Sequence, residues 1–250
     1  MKDARATYGD NAREHSDSPE RVEEVGVEGR RQPAESGKRV PLEGVPRWPA
    51  AVALLAVGAL YTAISTELTP GPRLLVPALV ALLVAAIMTA HGGGHQRLAR
   101  RFALALVALV TVAVATSALL LILVSLGGGT PASALLGDAA LIWAMNVVTF
   151  AVWYWEIDGG GPASRHRDRH DSEDFLFPQM AWGGNAARGW SPGFVDYLFL
   201  AFNTSTAFSP TDTAVLSRRA KVLTMAQSLV SLAVVAVLIG RAVNTLDPTG

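Results

Sequence analysis

The sequence predicts an all-α, polytopic helical membrane protein with about five transmembrane helices and one re-entrant pore-type helix. Three observations predict it. Half of the residues are hydrophobic, 50% by count. The charges also leave long stretches empty: between Pro49 and Ala90 only Glu67 and Arg73 are charged, and between Phe102 and Trp155 only Asp138 is. Apolar runs of that length are spans rather than soluble core, because about 20 apolar residues cross the hydrocarbon. Finally, Ser191 to Leu246 sets a half-length apolar helix, a polar loop and a full span in succession.

Composition excludes several classes of function. The formal net charge is +0, which gives no basis for a nucleic-acid partner. There is no cysteine, so disulfides, thiol nucleophiles and cysteine metal sites are absent. No nucleophile–base pair, phosphate cradle or metal set stands out, so neither an enzyme nor a cofactor is expected. The chain does not open with a basic stub and an apolar core, which argues against a cleaved signal peptide.

Residues 1–47 are polar, mixed in charge and poor in aromatics, and are expected to be a disordered tail. Residues 48–158 are expected to form a four-helix transmembrane bundle. Its first span runs from Trp48 to about Thr66, with Trp48 and Tyr61 as interface anchors. A turn with Pro70, Gly71 and Pro72 leads to the second span, Leu74 to Ala90. A basic loop follows, His91 to Arg101, whose two histidines lack the further ligands of a metal site. The third span, Phe102 to Leu126, reads as scaffold.

The fourth span, about Leu135 to Ile157, carries polar groups. At roughly 100° per residue, Asp138, Thr149 and Glu156 fall within about 20° of one another, and Asn146 lies about 80° away. Intramembrane acids usually face a bundle interior or a wet cavity. This stripe is a candidate cation or proton path; alternatively, its two acids sit at the two interfaces. Trp153, Tyr154 and Trp155 make an aromatic belt. Gly159, Gly160, Gly161 and Pro162 then break the helix.

Residues 159–191 are a charged and aromatic linker. His166 and His170, with Asp168 and Asp171, have a helical metal-site spacing, but the preferred reading is a solvated loop. Residues 192–246 hold the hairpin. Ser191 is expected as N-cap, with Pro192 at the first helical position. The short helix runs to about Thr206, and its negative dipole end favours a cation in the following loop. In the last span Ser228 and Ser231 each lie within about 40° of Thr224, with Gln227 beside them. They line a path or pack helices, as small polar residues commonly do.

The hairpin resembles the pore module of tetrameric potassium channels: a pore helix ending in threonines, a filter reading T-T-V-G-Y-G-D, then a lining helix. Thr204, Thr206, Ala207, Phe208, Ser209, Pro210, Thr211 and Asp212 fall at the matching offsets, and Asp212 holds the acid position. The filter is degenerate. Ser209 and Thr211 fill both glycine positions, and Pro210 replaces tyrosine. A potassium filter needs backbone that glycine adopts and Ser, Thr and Pro do not, so potassium selectivity is not carried over. The chain also resembles a bacterial family of predicted integral membrane proteins of unknown function. That resemblance rests on Trp153 to Pro162, Asp174 to Gln179 and Asn203 to Asp212.

Arginine and lysine set orientation. They crowd one side: Arg39 and Arg47, then Arg97, Arg100 and Arg101, then the linker's Arg165, Arg167 and Arg169. A re-entrant short helix adds Arg218, Arg219 and Lys221 to that side. The N-terminus is thus expected in the cytoplasm of a multi-pass cell-membrane protein, with the loop dipping from the cytoplasmic face, as in glutamate-receptor channels. The expectation is a pore-loop protein for inorganic cations, assembled as a homo-oligomer in the lipid bilayer. The channel resemblance implies a tetramer. The alternative is a non-conducting scaffold or partner-binding membrane protein.

Overall fold

In the computed structural model, residues 47–127, 129–162, 173–182, 190–209 and 212–246 are described. They belong to one compact unit, Leu42–Gly250. Residues 1–46 of the expected tail, the His166/His170 pair, Pro210 and Thr211 lie outside the described residues, whereas Arg47, placed at the end of that tail, is buried against Glu156.

Helix boundaries follow the local chemistry. Helix α1, Trp48–Ala63, carries Pro49 in its first turn, where the missing N–H breaks no helical bond. It ends at the extended Ile64. A 3-10 turn, Thr66–Leu68, and Gly71 at φ +81° turn the chain over. Arg73 closes this turn by donating from Nε to the Thr62 carbonyl at 2.8 Å. Helix α2 is Leu75–Gly92. Helix α3, Gln96–Gly127, starts earlier than its apolar run, so the expected basic loop shrinks to Gly93, Gly94 and His95. Arginine favours helix, and no breaker follows Gly94 for many turns. Helix α4 is Ala132–Ile157. It stops at Gly159, Gly160 and Gly161, all at positive φ, a conformation a side chain would resist.

Two-residue strands β1 (Phe175–Leu176) and β2 (Ala214–Val215) pair antiparallel, Phe175 with Val215 and Leu176 with Ala214. Helix α5, Pro178–Trp182, is a single turn or so. Helix α6 is Phe194–Thr206, and helix α7 is Arg218–Leu246. The N-cap of α6 is Gly193 rather than the expected Ser191. The Asp196 carboxylate accepts the Gly193 N–H at 2.7 Å, which fixes the first turn three residues later.

Helix α4 is the hub. It packs on α1, α3, α6 and α7, whereas α2 packs on α1 and α3. The central window of α4 is 61% buried, against 22% for α2 and α7. Two apolar clusters result. The larger, around Leu106, Leu121, Leu135 and Ile142, joins α1 to α4. The smaller gathers Phe150, Tyr154 and Trp155 with Phe175, Tyr197 and Leu200.

Side-chain partners set the helix directions. Arg47 meets Glu156 and the Ser65 amide meets Asp138, so α1 runs antiparallel to α4. Trp155 packs on Phe194 and Tyr197, and Trp143 on Phe202, so α6 also runs antiparallel to α4. Arg219 meets the Ile157 carbonyl, and Asn146 meets Ser231, so α7 does the same. Helices α6 and α7 therefore start at one end of α4, and the segment between them returns there through the β1–β2 pair. Phe202 reaches Trp143, about 21 Å along α4 from Ile157, which is near its middle.

Among the described residues, four helices, α2, α3, α4 and α7, are long and apolar enough to cross a membrane. Helix α1, with 16 residues, is an apolar helix about 24 Å long, and α6, with 13, is about 20 Å. Leu82, Val112, Leu119, Leu126, Leu229 and Ile239 stand more than half exposed on the periphery. An apolar outer surface with the polar groups turned inward suits hydrocarbon better than water.

Candidate functional site

The hairpin is docked by one buried glutamine. Gln227 of α7 is fully buried. Its Nε2 donates to the Ala201 carbonyl and to Ser205 Oγ of α6, each at 2.7 Å. Its Oε1 accepts from the Tyr154 hydroxyl of α4. Asn146 Nδ2 donates to the Gln227 carbonyl at 3.2 Å and to Ser231 Oγ at 2.9 Å. Away from water such bonds have few alternatives, so the network fixes how α4, α6 and α7 meet.

This arrangement divides the expected residues. Asn146 faces α7, as its offset of about 80° from the stripe requires. Asp138 and Glu156 face α1 instead: Asp138 Oδ1 accepts the Ser65 N–H at 3.0 Å, and Glu156 pairs with Arg47 at 3.3 Å, both side chains buried. Thr149 lies between them, 1% exposed. On α7, Thr224, Gln227 and Ser231 turn into the protomer, while Ser228 is half-buried. The inward face thus follows a 3–4 spacing through Gln227, which the sequence reading had set beside the face rather than on it. Thr224 Oγ1 donates to the Lys221 carbonyl at 2.9 Å.

In the filter-like loop, Thr204 is buried and donates to the Leu200 carbonyl at 2.8 Å. Thr206 is exposed, and its hydroxyl meets the Phe202 and Asn203 carbonyls of its own helix. Ala207, Phe208, Ser209 and Asp212 are exposed. Positive φ occurs at Phe208 (+55°), one residue before the first glycine position of a potassium filter. A bulky residue there holds the backbone in a sparsely populated conformation, at about 1–3 kcal/mol.

Both ends of the hairpin are clamped at the C-terminal end of α4 by residues the sequence reading did not assemble. Asp158 Oδ1 accepts the backbone N–H groups of Asp174 (2.8 Å) and Phe175 (3.3 Å), and its Oδ2 accepts the Tyr197 hydroxyl at 2.5 Å. Tyr197 lies edge-on to Trp155 and Phe177, with ring centroids 5.7 and 5.3 Å away. Asp174 takes a bidentate pair from Arg219, 2.7 Å from Nε and 2.6 Å from Nη2, and accepts from Ser217 Oγ. The Leu216 N–H donates to the Asp174 carbonyl at 2.9 Å. The available signal was weak: acids just outside apolar segments, Asp158 and Asp174, and a basic pair opening the last helix. Their side-chain partners lie 39 to 45 residues away in sequence, beyond any local pattern.

Among the described residues, no group of three or more His, Cys, Asp and Glu gathers to hold a metal ion. His91 Nδ1 lies 3.1 Å from Gln96 Oε1. No protein-family model, curated protein or solved structure matches the chain.

Proposed function

We propose that the chain is an integral membrane protein whose α6–loop–α7 hairpin is re-entrant and acts, in a homo-oligomer, as a pore loop for inorganic cations. Helix α6 and its return segment start and finish beside the C-terminus of α4, while Phe202, one turn before the tip, meets Trp143 near the middle of α4, and Thr206 to Ser209 are exposed. That observation carries the reading. Non-helical backbone at membrane depth is tolerated only where protein buries it or where it lines a water-filled cavity. The described residues of a single chain leave this tip uncovered, so further copies or an aqueous path are needed around it.

The exposed stripe Val195, Phe199, Phe202 on α6 offers the contact face between copies. The negative dipole end of α6 favours a cation at the tip. Asp212 raises cation concentration at the mouth, and Thr206 and Ser209 supply oxygens. The inward side chains of α7 leave its outer face, with Met225, Leu229 and Leu232, apolar. A path along that face is a hydrophobic constriction of the kind that gates by dewetting. The clamped end is the cytoplasmic one, because Arg97, Arg101, Arg218 and Lys221 lie there.

The test is cation flux into liposomes carrying the purified protein, beside a double variant Asp212→Asn, Thr206→Ala. Flux that the variant reduces or reshapes is expected. A folded, oligomeric protein silent for Na⁺, K⁺ and Ca²⁺ would remove the pore. A second reading, a non-conducting membrane scaffold, is favoured by one observation: Gln227, Ser231 and Thr224 already spend their polar groups inside the chain. A monomer in mild detergent, by mass, would select it.

A further inference from the structure

Helices α1, α3 and α4 enclose a second set of polar groups that the hairpin does not use. Asp138 Oδ2 and Thr149 Oγ1 are buried and have no hydrogen-bond partner among the described residues, and the buried Tyr61 and Ser117 hydroxyls meet no polar group there other than each other. Tyr61, Ser117 and Thr149 are each at most 1% exposed, and Asp138 is 5% exposed. The hydroxyls of Tyr61 and Ser117 face each other across α1 and α3. Buried polar atoms without partners are rare because each is costly, and internal water commonly satisfies them.

These groups are strung out along the bundle. Asp138 sits beside the Ser65 amide, near the N-terminal end of α4. Tyr61 lies one turn along α1, about 6 Å towards the middle. Thr149 is about 16 Å from Asp138 along α4, and Glu156, paired with Arg47, about 10 Å further. Among the described residues, the charged and titratable groups at this interior are Asp138 and Glu156 from α4, Arg47 ahead of α1, Tyr61 from α1 and, at the Glu156 end, Arg100 from α3, whose Nε is buried beside Gly161. The buried side chains of α2, Val80, Val84 and Ile87, are apolar, and in the packed part of α3 Ser117 is the polar one.

We propose that this line, from Asp138 through Tyr61, Ser117 and Thr149 to Glu156 and Arg47, is a water-bridged proton path inside a single protomer, separate from the hairpin. Gaps of about 6–10 Å take one to three hydrogen-bonded waters each, at about 2.8 Å per step. The spacing fits proton hopping and not a metal ion, which needs several ligands gathered at one point. A proton taken up from water at one end displaces one at the other, so no group is consumed and only charge moves.

The experiment uses full-length protein in liposomes with a trapped pH dye and a membrane potential clamped by valinomycin and K⁺, so that cation passage at the hairpin leaves the drive unchanged. Proton uptake well above empty liposomes is expected. Asp138→Asn and Thr149→Val should each lower it at least tenfold, while Gly127→Ala, whose added methyl meets open space, leaves it unchanged. Ser117→Ala, which removes a hydroxyl at little change in volume, carries the test if Asp138→Asn fails to fold. Uptake equal to empty liposomes, or uptake unaffected by both Thr149→Val and Ser117→Ala, would overturn the path. Equal loss in Asp212→Asn would assign the protons to the hairpin and overturn it too.

Discussion

Replacing Gln227 by leucine tests how the hairpin is held. The side chain makes three hydrogen bonds across helices: two donated to Ala201 and Ser205, one accepted from Tyr154. Interhelical hydrogen bonds in membranes average about 0.6 kcal/mol each, with a maximum near 1.7. Three give about 2 kcal/mol. The Tyr154 and Ser205 hydroxyls then remain buried without this partner, which raises the loss to about 2–4 kcal/mol. Leucine fills nearly the same volume, so cavity formation adds little. The assay is reversible unfolding in mixed micelles, with Ser228→Ala as reference, since Ser228 is half-buried and outside the network; it should change stability by less than about 0.5 kcal/mol. A double-mutant cycle with Tyr154→Phe should return a coupling of about 0.6–1.7 kcal/mol. If Gln227→Leu is no more destabilising than Ser228→Ala, or the coupling is zero, the docking of α6 on α4 and α7 described above is wrong.

Other outcomes follow from particular contacts. Because the chain has no cysteine of its own, single cysteines report accessibility directly. Ser209→Cys should react rapidly with a hydrophilic thiol reagent and Gln227→Cys should not; rapid labelling at Gln227 would place it on an aqueous path. Arg219→Ala strips the bidentate partner from a carboxylate that is 1% exposed. Because Arg219 itself is half exposed and screened, the expected loss is about 1–3 kcal/mol, smaller than for a fully buried pair, and Arg219→Lys should recover part of it. Protease sensitivity of the 207–217 segment measures this, and no change in Arg219→Ala would refute the clamp. Gly161→Ala meets the Glu156 carbonyl at 3.0 Å and a φ of +95°, whereas Gly127→Ala meets open space. Thermal unfolding should show a loss of about 1–3 kcal/mol for the first and almost none for the second. Equal effects would mean that Gly161 is not held against α4.

The sequence alone determined the class of this protein and the placing of its helices. Uncharged apolar runs, Pro49 at a helix start and the Gly159–Gly161 stop act through composition and local backbone freedom, which need no partner. Its errors were local competitions: Asp196 capped α6 in place of Ser191, and the arginines of the expected 91–101 loop joined α3. Periodicity set Asp138, Thr149 and Glu156 on one face with Asn146 apart from them, but not what each face meets. Tertiary structure decided that Asn146 serves α7 while Asp138 and Glu156 serve α1. It also decided that Gln227 belongs to the inward face of α7, and that Asp158, Asp174 and Arg219 close both ends of the hairpin. Those choices are hydrogen bonds between residues tens of positions apart. Each depends on which helices lie side by side, and almost any apolar helix can lie beside any other until buried polar groups select among the pairings.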